Sequence, residues 1–185
     1  MERTRTQLLA LSGSLRSRSS NTELLRAAAA LAPDDVEVML YDGIAGLPPF
    51  NPDLEDALPP SVVAFRARVG AAAGLLISCP EYAHGVPGSF KNALDWLVGG
   101  PEFVYKPVAL FNASPRSSYA QEALAEIIRT MSGRIIDEAS VALPLLGRGL
   151  DMSGIIARPE LASTIRFALT AFAQAIRSAA LSPAE

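Results

Sequence analysis

The sequence is poor in the residues that build most metal and disulfide sites. It has one cysteine, Cys79, and one histidine, His84. A single thiol cannot close an internal disulfide, and the Cys and His clusters of a zinc centre cannot be assembled, so no metal site is expected. Lysine is scarce too: of 16 basic residues only Lys91 and Lys106 are lysines, and the arginines are scattered. With a formal net charge of -3 and a pI near 5.3, the chain has no basic stripe for a phosphate backbone, which argues against nucleic acid as a partner. No apolar run approaches the roughly 18–20 residues of a membrane helix, so no membrane partner is expected. The start, MERTRTQLLALSG, carries positive charge, but the apolar stretch at residues 8–11 is too short for a signal-peptide core of roughly 7–15 residues. The chain is read as cytoplasmic.

What is present fits one globular unit. The chain has 185 residues, 50% of them hydrophobic and 19% charged, and no repeat, low-complexity tail or second core divides residues 1–185. Apolar runs at residues 7–11, 36–41, 74–78, 107–112 and 134–136 read as strands, with residues 141–145 extending the last edge after a break. Between them residues 22–31, 62–72, 89–97 and 119–131 read as helices, and residues 159–180 as a long closing helix with Pro159 in its first turn. Val63, Phe65 and Val69 are the expected core residues of the second helix; Leu124, Ile127 and Ile128 are those of the fourth. Residues 42–60, with five prolines, form an irregular excursion, read either as a roof for a site or as a subunit contact. Strands alternating with helices imply an α/β fold: a doubly wound five-stranded parallel sheet in three layers, for which the order 2-1-3-4-5 is suited.

Two loops stand where such a sheet keeps its ligand, beyond the carboxyl ends of its strands. The first reads SGSLRSRSSNT, residues 12–22, and opens a helix. Exposed N–H groups and the partial positive charge of a helix start attract anions. Ser14, Ser19, Ser20 and Thr22 add hydroxyls, Asn21 an amide and Arg16 a guanidinium, a set suited to a terminal phosphate. Taken singly, Asn21 or Thr22 also reads as no more than the helix cap, and the serines as solvated. The loop lacks the Gly-Lys-Ser/Thr ending of a Walker loop and the spacing of a dinucleotide fingerprint. The second loop, PEYAHGVPGSFKNALDW at residues 80–96, follows the third strand and is shaped by Pro80, Gly85, Pro87 and Gly88.

Together, GSLRSRSSN at residues 13–21 and PEYAHGVPGSFKNALDW at residues 80–96 resemble the NADPH-dependent FMN reductase family, whose members have a flavodoxin-like fold and include quinone, azo-dye and chromate reductases. The resemblance implies that Ser14, Arg16, Ser19 and Asn21, with Ser20 and Thr22 beside them, hold the FMN phosphate. It also implies that Pro80, Glu81 and Tyr82, with Ala83 and backbone near His84 and Gly85, lie by the isoalloxazine ring. Ser114 and Arg116 follow the fourth strand towards the same crevice, and Arg116 is equally readable as an unliganded surface arginine. Two places depart from the family's pattern: Ala83, where asparagine is common, and ASPRSSYAQ at residues 113–121, where a glycine-rich turn is common.

The implied activity is passage of electrons from NADPH or NADH through FMN to a quinone or similar small acceptor, in ping-pong order. Because a flavin carries that chemistry, no catalytic residue is assigned. The alternative is a flavin-binding electron carrier without enzymatic activity. His84 reads as a positioned loop residue in preference to an acid or base, and Cys79 as a small buried thiol. The resemblance implies a homodimer or homotetramer. Phe90, Leu94, Trp96 and Leu97 form an apolar stripe, read as core or subunit interface. Lys91 and Asp95 are spaced to pair on the helix surface.

Overall fold

The computed structural model describes residues 5–181; residues 1–4, at the start of the charged N-terminal stretch, and residues 182–185 lie outside it. Strands and helices alternate: β1 (Thr6–Ser12), α1 (Ser20–Ala30), β2 (Val36–Tyr41), α2 (Pro60–Ala71), β3 (Gly74–Ser78), α3 (Gly88–Val98), β4 (Pro107–Asn112) and α4 (Ser118–Thr130). They are followed by β5 (Arg134–Ile135), β6 (Val141–Ala142), α5 (Met152–Ile156) and α6 (Pro159–Leu181). The sheet runs β2-β1-β3-β4-β5 with parallel pairing, the expected order. Ser12 lies opposite Ser78, so the loops after β1 and β3 leave the sheet side by side.

Alternation along β1 divides the core. Leu8 and Ala10 join Leu24, Leu25, Leu169 and Phe172 on one face; Leu9 and Leu11 join Phe65, Phe90 and Trp96 on the other. Helices cover both faces, which is why β1 and β3 are nearly continuous apolar runs. At Gly74 a Cβ would come within 2.8 Å of Phe172 and of Ile176, so glycine there lets α6 lie close on β3.

Four details differ from expectation. The fifth strand is split: Arg134–Ile135 and Val141–Ala142 both pair with β4, on either side of a short 3-10 turn, and the strand expected through Ile136 and over residues 141–145 is correspondingly shorter. In the gap, the Ser140 hydroxyl accepts the Leu110 N–H at 3.0 Å and donates to the Ile136 carbonyl at 3.0 Å, replacing the missing ladder contact. On α2 the buried stripe is Val62, Phe65 and Val69, at i, i+3 and i+7, and Val63 is 50% exposed because it lies off that face. Helix α5 was not expected.

The fourth difference concerns the α3 stripe. Phe90, Leu94, Trp96 and Leu97 are fully buried within the chain, so this stripe is core and not a subunit surface. Part of its cover is the 42–60 excursion, which docks on α3 instead of roofing the cleft. Asn92 accepts the Phe50 N–H at 2.7 Å and donates to Pro48 O at 2.9 Å; Trp96 Nε1 donates to the same carbonyl at 2.7 Å. The Phe50 ring meets Trp96 edge-on at 5.0 Å. Lys91 and Asp95 pair at 2.5 Å, as their spacing suggests.

Candidate functional site

The loop after β1 is laced from within. Gly13 N–H donates to Ser78 O at 2.8 Å, and a Cβ on Gly13 would lie 2.8 Å from Cys79 Sγ and 3.1 Å from its Cα, so a side chain there would push the loop off β3. The Ser12 and Thr22 hydroxyls share a hydrogen bond of 2.8 Å, and Ser14 N–H donates to Ser12 Oγ at 3.3 Å. Ser19, not Asn21 or Thr22, caps α1: its Oγ accepts the Thr22 N–H at 3.5 Å. Asn21 Oδ1 accepts the buried Ser78 hydroxyl at 2.9 Å, tying the helix start to the end of β3. The N–H groups of Ser20 and Asn21 have no acceptor inside the helix, as at every helix start, and Arg16 and Arg18 stay exposed beside them.

The second loop is anchored to α4. Glu81 Oε2 accepts the Ala120 N–H at 3.0 Å, capping the first turn of that helix from a distant segment. Tyr82 and Gly85 exchange backbone hydrogen bonds of 3.1 and 3.0 Å around Ala83 and His84, whose φ values are 49° and 58°. Asparagine tolerates that left-handed region better than alanine, which gives Ala83 its physical interest. After β4, Asn112 Oδ1 accepts the Ser114 N–H at 2.8 Å and Ser114 Oγ accepts the Arg116 N–H at 3.3 Å, making a tight polar turn.

These loops enclose a cleft of about 540 Å³ at the carboxyl ends of β1, β3 and β4. That volume lies within the range of about 300–1,000 Å³ usual for small-ligand sites. Of the residues expected from sequence, the structure brings Ser14, Arg16, Ser19, Ser20, Asn21, Pro80, Glu81, Tyr82 and Ser114 to its lining. Thr22 instead lines a neighbouring hollow between the ends of β1 and β2. Ala83, His84, Gly85 and Arg116 are not among the lining residues; the first three belong to the turn beyond Tyr82.

Sequence reading missed Arg18, Asn112, Ala113, Ser117, Leu146, Gly147 and Gly149, which complete the wall. Arg18 and Asn112 to Ser117 stand inside or beside the loops already singled out. Leu146 to Gly149 belong to a segment with no motif, whose one signal is the pair of glycines flanking Arg148; both have positive φ, 77° and 61°. Cys79 lies just below the cleft, 1% exposed, and burial pushes its thiol up to about 12. At the outer edge Asp151 receives Gly154 N–H and the Ser153 hydroxyl, which hold its carboxyl below the ordinary range.

Two arginines and a row of hydroxyls at a helix start, facing a Pro-Glu-Tyr wall across one cleft, can hold an anion at one end and a flat group at the other. The sequence pattern that defines the NADPH-dependent FMN reductases matches residues 6–145. This chain belongs to that family. Among curated relatives of this chain, an NAD(P)H-dependent FMN reductase of Pseudomonas aeruginosa is 41% identical over 111 residues, covering 58% of this chain and 60% of that protein. A quinone reductase of Escherichia coli is 37% identical over 112 residues, covering the same shares. The matched stretch thus spans less than two thirds of these relatives' own length. A solved structure of FerB, a flavoenzyme NAD(P)H:(acceptor) oxidoreductase from Paracoccus denitrificans, superposes with a TM-score of 0.76 at 26% identity, over 94% of this chain and 98% of that one.

Proposed function

We propose that this chain is an FMN-dependent oxidoreductase that takes electrons from NADPH or NADH and delivers them, in ping-pong order, to a quinone or similar small acceptor. The observation that carries this is the meeting in one cleft of the hydroxyl- and arginine-lined start of α1 with the Pro80–Glu81–Tyr82 wall. Ser14, Arg16, Ser19, Ser20 and Asn21 would hold the FMN phosphate, with Arg18 close enough on the same lining to add charge. Pro80, Glu81, Tyr82 and Ser114 would border the ring. When bound, FMN supplies the hydride and electron chemistry; the chain's residues bind, orient and leave one face open. No side chain is assigned as an acid or base, because none is needed for that division of labour.

The same reading takes the chain as one FMN-binding domain, located in the cytoplasm and assembled as a homodimer or homotetramer through a surface other than the α3 stripe. Among the described residues, no helix is long and apolar enough to cross a membrane. The test is to purify the protein, measure its flavin content and follow nicotinamide oxidation with and without a quinone. Expected are one FMN per chain and oxidation that accelerates with quinone. Purification without flavin, with no FMN uptake on titration, would contradict it; flavin binding without nicotinamide oxidation would point to an electron carrier.

A further inference from the structure

The turn at residues 82–85 is made of residues that do not favour it. Ala83 and His84 both stand in the left-handed region, at φ 49° and 58°, where a two-residue hairpin turn prefers Asn-Gly because each side chain there crowds its own backbone. Outside contacts must therefore help to hold it. Those contacts converge on the first turn of α4: the Tyr119 ring stacks on His84 at 4.2 Å and 17°, the Ala120 N–H meets Glu81 Oε2 at 3.0 Å, and Gln121 Nε2 donates to Cys79 O at 3.4 Å. The last two pin the entry to the loop. Of these three contacts among the described residues, the stack is the one that reaches the turn itself.

We propose that Tyr119 is a positioning residue: by stacking on His84 it holds the 82–85 turn in its left-handed conformation and so fixes the Glu81–Tyr82 wall of the cleft. Tyr119 does not line the cleft, so it would act through the turn and not by touching a ligand. The inference rests on the FMN reading given above, with the ring at the Tyr82 end and the phosphate at the Arg16 end. A contact felt only at the ring end must affect FMN and riboflavin alike, since they differ only in the phosphate.

The experiment is a titration of the purified chain with FMN and with riboflavin, followed by quenching of flavin fluorescence, for wild type, Tyr119→Ala and Tyr119→Phe. Tyr119→Ala should weaken both flavins by the same factor, roughly three- to tenfold, the scale of one aromatic pair, and Tyr119→Phe should stay within about twofold of wild type. Tyr119 is 54% exposed, so the alanine variant should fold; His84→Ala, which removes the other ring, should reproduce the loss. An unchanged affinity in Tyr119→Ala would overturn the proposal. So would a loss confined to FMN, or a Tyr119→Phe variant as weak as the alanine one, which would mean that the hydroxyl and not the stacked ring matters. A wild-type chain that takes up neither flavin overturns the cofactor reading, and the role of Tyr119 with it. Normal wild-type uptake with an indifferent Tyr119→Ala overturns the positioning role alone.

Discussion

Arg16 is exposed, and its guanidinium makes no hydrogen bond or ion pair among the described residues. A cation left unpaired beside a helix start is free to meet an anion. Charge-assisted hydrogen bonds contribute about 1.5–3 kcal/mol, so Arg16→Ala should weaken FMN by roughly 10- to 100-fold and leave riboflavin, which has no phosphate, nearly unchanged. Equal weakening of the two would place Arg16 elsewhere. Cys79 offers a second check at this scale. Its thiol is buried and held neutral, so it should be inert to a thiol reagent at pH 8 in the folded chain and react on unfolding. Because its folded pKa is raised, it costs stability only as pH climbs above about 9, where the unfolded thiol ionises first; Cys79→Ala should flatten that alkaline limb. The residue types around the phosphate end were legible because hydroxyls, an amide and arginines before a helix have a common use. The placement of Arg116 was not, since its position depends on the polar turn made by Asn112 and Ser114.

Helices and strands were legible to within a few residues wherever burial has a clear period. Elements held by particular contacts were not. The break between β5 and β6 depends on the Ser140 hydroxyl substituting in the ladder, and α5 is a short helix capped by Asp151. The excursion over residues 42–60 offered no periodicity, because what fixes it is Asn92 and Trp96 on a distant helix. Lys106 shows the same long-range logic at the end of α2, where Nζ donates to Gly70 O at 3.2 Å and Ala72 O at 2.7 Å. A cation on those last carbonyls completes the helix. Lys106→Met should keep the stem, lose the cap and lower stability by about 1–2 kcal/mol in chemical unfolding; no change would mean that water replaces the ammonium without loss.

At the scale of the whole molecule, parallel order places the ends of β1, β3 and β4 together, and the loops that leave them supply the cleft. This is why two motifs far apart in sequence converge, and why a fold-level reading could anticipate their meeting without knowing a single side-chain contact. The Leu146–Gly149 wall was illegible for the converse reason: it reaches the cleft only after the split edge strand returns the chain there. The most direct measurement is an anaerobic absorbance trace of the FMN-loaded protein on addition of NADPH, then NADH in a separate run, each followed by a quinone. Loss of the flavin band with at least one nicotinamide, and its full return with quinone, is the expected result. A band that neither nicotinamide bleaches would contradict the proposed reductase.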